Sequence, residues 1–177
     1  MQEMTVEELL KAYQAGQRDF SNSNLNQINL FEIDVRGIIL QHSNLTGIYA
    51  PYANFSQANL SQCLLAGANL ADAKLYGVDL SRANLQGVDL TRANLSHCNL
   101  SGVDLSQAKL SGADLSYADL RGANLTQAAL IRTNLNHANL AQANLVGSCL
   151  FRAQAINLAG AICDRTTVLP DGYHYDL

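Results

Sequence analysis

The sequence contains few of the residues with which proteins build aromatic cores or charged sites. Tryptophan is absent, aromatic residues make up 6% and charged residues 15% of the 177 residues. A core built from this chain must therefore be aliphatic, while a hydrophobic content of 48% excludes intrinsic disorder. The net charge of −4 is small and no basic cluster stands out, which predicts no direct binding of nucleic acid.

Signals for membranes, secretion, disulfides and zinc are also missing. No stretch approaches about eighteen consecutive apolar residues, and Met1–Thr5 has neither the basic nor the apolar part of a secretory signal. The cysteines show no CxxC spacing, which favours reduced and mostly buried thiols. We therefore expect a cytoplasmic protein without a membrane span. The cysteines are Cys63, Cys98, Cys149 and Cys163.

What the sequence does contain is a repeat of five residues. Every fifth residue from Leu60 to Leu150 is leucine, nineteen in a row. Extended outward to Phe20 and Ala155, the same frame gives 28 central positions, all apolar and 23 of them leucine. The residue two before each centre is Ala in 14 of the 28 repeats, and the residue just before it is Asn or Asp in 20. The resulting motif is A-(N/D)-L-x-x.

A period of five fits neither an α-helix nor a flat strand. On a helix the leucines would advance about 140° per repeat and cover every face, and on a strand they would alternate between the two faces. The chain must instead turn a corner once per pentapeptide, with the small residue and the leucine inside and the Asn or Asp outside. Glycines fall in ten-residue phases, first Gly37 to Gly87 and then Gly102 to Gly122, which favours an even number of sides.

From about residue 18 to residue 155 the chain resembles the pentapeptide-repeat proteins, and its ends resemble those of cyanobacterial members. The resemblance implies an all-β solenoid, a right-handed quadrilateral parallel β-helix with four pentapeptides per coil. Twenty-eight repeats would then give about seven coils. We expect one structural domain in three parts: a cap over residues 1–17, the β-helix over 18–155 and a second cap over 156–177.

Both ends need covers, because an open β-helix exposes its core and its unpaired strand edges. Thr5 and Glu8 have the spacing of a capping box, and an apolar stripe follows at Val6, Leu9, Leu10 and Tyr13. This pattern predicts a capping helix over residues 5–15, although the same stripe could instead bind a partner helix.

The repeat frame is disturbed at two further places. At the far end the motif restarts three residues after Ala155, which predicts an irregular last coil with a turn at 170–172. Within the repeats, Pro51 cannot donate a ladder hydrogen bond, which predicts a bulge or a widened corner there.

No residue pattern indicates catalysis, and we expect no enzyme, no cofactor and no metal. Nucleotide-binding glycine motifs are absent. His97 and His137 fall two coils apart on one side, a separation of about 10 Å that no single metal ion bridges. His42 and His174 are expected to be solvated surface residues.

Two functions from different classes remain. The first is a rigid protein-interaction scaffold or regulator, a monomer or weak dimer with an unidentified protein partner. The second, implied by one branch of the family, is imitation of duplex DNA to occupy DNA gyrase. Residues 20–155 contain eight acidic and eight basic residues, a neutral rod that disfavours the second function.

One face carries more aromatic and arginine residues than the others, and we name it the bipolar face. Residues twenty apart stack in columns along this face, and the charged side chains are acidic near the N-terminal cap and basic near the C-terminal end. Aromatic and arginine side chains are the usual anchors of protein interfaces, so this face is the predicted docking surface for a partner or a second copy. Its candidate residues are Phe31, Glu32, Tyr49, Tyr52, Asp72, Arg92, Ile131, Arg132, Phe151 and Arg152.

Overall fold

The structure, a computed structural model, describes residues 1–176. Strand β1 (Gln2–Glu3) is followed by helix α1 (Val6–Gln14) and strand β2 (Ser23–Asn24), and β1 pairs with β2 in parallel, Gln2 opposite Ser23. Among the described residues, no helix has the length and apolar character needed to cross a membrane.

The rest of the chain forms a parallel coil held by single bridges between residues twenty apart. Asn84, for example, bridges Leu64 on one side and Asp104 on the other. The same spacing runs from the pair Asp19–Ile39 to the pair Asn134–Gln154. Each coil therefore contains four pentapeptides, an even number of sides as the glycine spacing predicts.

Each corner of the coil is a tight turn. The Ala68 N–H donates to the carbonyl oxygen of Leu65 at 3.0 Å, and Gly67 between them has a φ of +65°. A positive φ at the third of four residues is typical of a type II turn. Every fifth residue from Asn22 to Arg152 has this left-handed φ, although most of these residues are not glycine.

All five backbone N–H groups of a typical pentapeptide find an acceptor. The central residue and the residue two places later donate to the next coil, and the residue before the centre donates to the preceding coil. The small residue closes the turn, and the first corner residue donates to the Asn or Asp side chain. Around Leu70 these bonds are Leu70 to Asp89 at 2.7 Å, Asp72 to Thr91 at 2.9 Å, Lys74 to Ala53 at 2.8 Å, Ala73 to Leu70 at 3.1 Å and Ala71 to Asn69 Oδ1 at 3.1 Å.

Two residues of each pentapeptide fill the interior. The central residues from Phe20 to Leu150 are at most 3% exposed, with a column of small residues beside them. The prediction that Ala155 is a further buried centre is wrong, because its side chain is exposed. Small polar residues inside the coil bond to main-chain carbonyls, as Thr133 Oγ1 does to Leu110 at 2.8 Å.

Helix α1 lies against the first coil, within the residues 5–15 that the sequence predicts to be helical. Thr5 Oγ1 accepts from the Glu8 N–H at 3.2 Å and Glu8 Oε2 accepts from the Thr5 N–H at 2.8 Å, which forms the capping box. Leu9 is fully buried against the core. Tyr13 donates its hydroxyl to the Arg36 carbonyl at 2.8 Å, which ties the helix to the corner that follows Val35.

The last coil is shorter than the others. The bridge partners are twenty residues apart at Asn134–Gln154 but eighteen apart at Asn144–Ile162. A turn follows in which the Gly172 N–H donates to Leu169 at 2.9 Å, as the Pro-Asp-Gly sequence predicts. Val168 and His174 then pair antiparallel, so the chain folds back on itself at this end.

The predicted bulge at Pro51 is wrong. Proline occupies the first corner position. In other repeats the N–H at this position donates to an Asn or Asp side chain and takes no part in the ladder, as the Ala71 N–H does to Asn69 Oδ1. The ladder continues through this corner, with Ala50 donating to Asn69 at 2.8 Å and Tyr52 to Ala71 at 3.1 Å. Proline also favours this turn position because its φ is fixed near −65°.

Candidate interaction face

The N-terminal half of the bipolar face is an aromatic cluster. The rings of Phe31 and Tyr49 stack with their centroids 6.2 Å apart, and Tyr52 meets Phe31 edge-on at 6.0 Å. All three side chains are about half exposed. Tyr49 takes a position that is usually Asn or Asp. No backbone N–H loses its acceptor by this change, because Pro51, two residues later, has no N–H.

The middle of the face is neutralised by an ion pair. Arg92 binds Asp72 through two hydrogen bonds of 2.8 and 2.6 Å, and these bonds lower the pKa of the Asp72 carboxyl below its ordinary value. One coil along, Lys109 lies 3.6 Å from Asp89. The Asp72 carboxylate is thus already occupied by an arginine of the same face.

The C-terminal half contains a shallow depression of ≈ 380 Å³. Gly112 lacks a side chain at this point of its column and leaves space between Arg92 and Arg132. Within the described chain, Arg132 and Arg152 have no carboxylate within ion-pair distance. The Arg152 guanidinium lies 5.1 Å from the centre of the Phe151 ring. The lining residues are Thr91, Arg92, Ser111, Gly112, Ile131, Arg132 and Phe151.

The structure therefore groups the predicted residues into two clusters at opposite ends. Phe31, Tyr49 and Tyr52 are in mutual contact, whereas Ile131, Arg132 and Phe151 surround the depression. Glu32 is exposed at the N-terminal end, and Arg152 extends beside the depression at the other. Asp72 and Arg92 connect the two ends as an ion pair.

A second aromatic feature, which the sequence reasoning missed, lies on another corner. His97 and Tyr117 stack with centroids 4.8 Å apart, and Tyr117 and His137 stack at 4.9 Å. Tyr76 meets His97 edge-on at 5.4 Å. We call these four residues the aromatic ladder. The signal was available, because Tyr117 lies twenty residues from each histidine and so falls between them.

The two buried thiols, Cys63 and Cys98, are poor nucleophiles. Burial raises the pKa of both Cys63 and Cys98 to about 12, so the two thiols stay protonated at neutral pH. Each donates to a main-chain carbonyl, Cys63 Sγ to Leu40 at 2.8 Å and Cys98 Sγ to Leu75 at 2.9 Å. Among residues 1–176, no group of three or more His, Cys, Asp or Glu side chains has a metal-binding arrangement.

Comparison with known families identifies the repeat. The family model for pentapeptide repeats, present in eight copies, matches residues 53–92, 89–127 and 118–153. The chain belongs to the pentapeptide-repeat family. Its coil is accordingly a right-handed β-helix, and the resemblance drawn from the sequence is confirmed. No curated protein gave a match.

Several solved structures of pentapeptide-repeat proteins are similar to the chain. QnrB1, a plasmid-mediated fluoroquinolone resistance protein, is 18% identical with a TM-score of 0.52, over 88% of this chain and 86% of that chain. This identity supports the fold alone. HetL of the cyanobacterium Nostoc sp. strain PCC 7120, a protein involved in heterocyst differentiation regulation, is 28% identical over 97% of this chain and 100% of that chain, with a TM-score of 0.38.

Proposed function

We propose that this pentapeptide-repeat protein is a non-catalytic scaffold that binds a protein partner through the bipolar face. The observation that carries the proposal is the depression beside Arg132 and Arg152. Two arginines without carboxylate partners in the described chain border an apolar floor formed by Ile131 and Phe151. Arginine and aromatic side chains in such a setting are the residues that most often dominate binding energy.

The rod suits this role because its surface is already ordered. The ladder bonds fix the backbone of every coil, so binding orders few additional groups. At the aromatic end, Phe31, Tyr49 and Tyr52 support one another and present half-exposed rings. At the other end the free arginines favour an acidic segment of the partner. The complementary partner is therefore apolar at one end and acidic at the other.

The test is affinity capture from cell extract, followed by binding of the purified, identified partner. Arg132→Glu together with Arg152→Glu should lower the affinity at least tenfold, because two attractive charges become repulsive. The control pair is Lys74→Glu with Arg82→Glu, which changes the net charge equally on other faces at two basic residues that also have no carboxylate within ion-pair distance in the described chain. An equal loss of affinity for the partner in both double variants, or a loss of affinity in the control variant alone, would place the binding surface elsewhere.

A second function, occupation of DNA gyrase by imitation of duplex DNA, has less support. The QnrB1 structures share the fold with this chain, but four of the aspartates are paired with basic residues: Asp34, Asp72, Asp89 and Asp119. A DNA mimic needs an acidic field along its length. A supercoiling assay with purified gyrase separates the two functions, and the scaffold proposal predicts no inhibition.

The proposal includes a cytoplasmic, monomeric or weakly dimeric protein. The four cysteines are unpaired in the structure, and a reducing compartment would keep them so. Light scattering over a range of concentrations would measure the oligomeric state, and a weak dimer would dissociate on dilution.

A further inference from the structure

Because the last coil is short, one side of the coil before it has no ladder partner in the described chain. Between the bridges Asn134–Gln154 and Asn144–Ile162 the spacing falls by two residues. The segment 155–159 must cross this side with two residues fewer than every coil before it. It therefore cannot follow the path that would pair it with residues 137–140.

Two backbone N–H groups are unpaired as a result. Two coils before the break, the corresponding N–H groups are paired. The His97 N–H donates to the Ser116 carbonyl at 2.9 Å, and the Leu100 N–H donates to the Asp119 carbonyl at 2.8 Å. The equivalent N–H groups at the break belong to His137 and Leu140. Among residues 1–176 neither has an acceptor. In the rod, the two carbonyls that accept from such a pair of donors lie on either side of a corner, as those of Ser116 and Asp119 lie on either side of Tyr117 with its φ of +59°.

The space left by the short coil is a cavity of ≈ 420 Å³, within the roughly 300–1,000 Å³ range of ligand pockets. Its lining includes His137, Leu140 and the polar side chains of Asn136, Asn139 and Asn157. Within the described residues, the side-chain amide of Asn136 makes no hydrogen bond, whereas its backbone N–H donates to Asn134 Oδ1.

The aromatic ladder ends at this cavity. Tyr117 covers one face of the His137 ring, with the centroids 4.9 Å apart. No further ring of the described chain follows on the other side, where the next coil holds Asn157 at the edge of the cavity. An aromatic ring entering the cavity would continue the ladder by one step.

We propose that the cavity binds a peptide segment of a partner protein, which adds as the missing side of the coil and takes up the corner conformation of segment 114–120. Two of its carbonyls accept from the N–H groups of His137 and Leu140, and an aromatic side chain stacks on the open face of His137. Peptide recognition by strand addition gains affinity from main-chain bonds and specificity from side-chain pockets. This site is separate from the bipolar face and stands without it.

The chain supplies its own probe. A synthetic peptide with the sequence of residues 114–120, Asp-Leu-Ser-Tyr-Ala-Asp-Leu, already has this geometry in the rod. There its serine and second aspartate accept from His97 and Leu100, and its tyrosine stacks on a histidine. In a titration of the ¹⁵N-labelled full-length protein, this peptide should shift the amide signals of His137 and Leu140 in a saturable manner.

Three comparisons test the parts of the proposal. A peptide with leucine in place of the tyrosine should bind about three- to tenfold more weakly, because the aromatic pair is lost. His137→Asn should remove that preference for tyrosine, whereas His97→Asn, inside the ladder, should keep it. Asparagine tolerates the left-handed φ of +58° at His137 and +60° at His97, so both variants should fold.

Insertion of Ser-Gln between Ala155 and Ile156 restores the five-residue spacing and should abolish the peptide-induced shifts. Saturable shifts confined to His137, Leu140 and their neighbours, with a tyrosine preference that depends on His137, support the proposal. Absence of these shifts at millimolar peptide overturns it. Equal binding of the tyrosine and leucine peptides, or undiminished binding to the insertion variant, also overturns it.

Discussion

Single substitutions at the left-handed corner residues test the backbone geometry of this rod most directly. Gln107 has a φ of +59° and an exposed side chain. A β-branched residue is strained in this conformation by about 1–2 kcal/mol, whereas asparagine tolerates it. Gln107→Val should lower the free energy of unfolding by that amount and Gln107→Asn should leave it nearly unchanged, as measured by urea denaturation. Equal effects of both substitutions would contradict the turn geometry.

The Asn or Asp before each centre has a structural role that also has a test. Asn59 Oδ1 accepts from the Ser61 N–H at 3.0 Å and from its hydroxyl at 2.7 Å, and Ser61 is buried. Asn59→Ala should cost about 1 kcal/mol, because a buried N–H loses its acceptor. Lys74 occupies the equivalent position without such a bond, and Lys74→Ala should change stability by less than about 0.5 kcal/mol.

At the scale of the corners and sides, carboxylates held by neighbours make the stability depend on pH. Arg121 donates to Asp119 at 2.8 and 2.6 Å and lowers the pKa of that carboxyl from its ordinary value of 3.8. A carboxyl with a lowered pKa stabilises the fold above the pKa of the unfolded chain. That stabilisation is lost as the pH falls through the folded pKa.

The unfolding midpoint in urea should therefore be steady near neutral pH and decrease below about pH 4. The pKa of Asp72 shifts in the same direction because of Arg92 and contributes to the decrease. Asp119→Asn should make the decrease shallower, because one proton-linked group is removed. A midpoint that rises on acidification would contradict these ion pairs.

The capping helix and the last coil show how far the sequence predicts such elements. The capping box and apolar stripe of α1 were readable because both are local patterns. The restart of the motif after Ala155 was also visible, but the cavity that it creates was not. A cavity depends on the path that segment 155–159 takes relative to His137 and Leu140, and a one-dimensional pattern does not contain that path.

At the scale of the whole molecule, residues twenty apart in the sequence come into contact, because each coil contains twenty residues. This rule places Tyr117 between His97 and His137, so the aromatic ladder could have been predicted from the sequence once four sides per coil were assumed. The ion pair of Asp72 and Arg92 is also a twenty-residue pair. The grouping of the bipolar face into two clusters was not predictable, because it depends on the rotamers of Arg92 and Arg132 beside Gly112.

The continuous core should make the rod intolerant of charge at its centre. Leu105 is fully buried in the middle of the stack. Leu105→Asp places an unpaired carboxylate there, at a cost of several kcal/mol, and should unfold the protein. Circular dichroism should show loss of the β-rich spectrum, whereas Ser101→Asp on the half-exposed first corner position nearby should retain it. A folded Leu105→Asp variant would contradict the stacked core.

The central claim is that the rod acts through the bipolar face, and an arginine footprint tests it most directly. The protein is treated with phenylglyoxal with and without its purified partner, and the modification of each arginine is measured by mass spectrometry. The scaffold proposal predicts that the partner protects Arg132 and Arg152, while Arg82 stays reactive. Protection of Arg82 with Arg132 and Arg152 unchanged would contradict it.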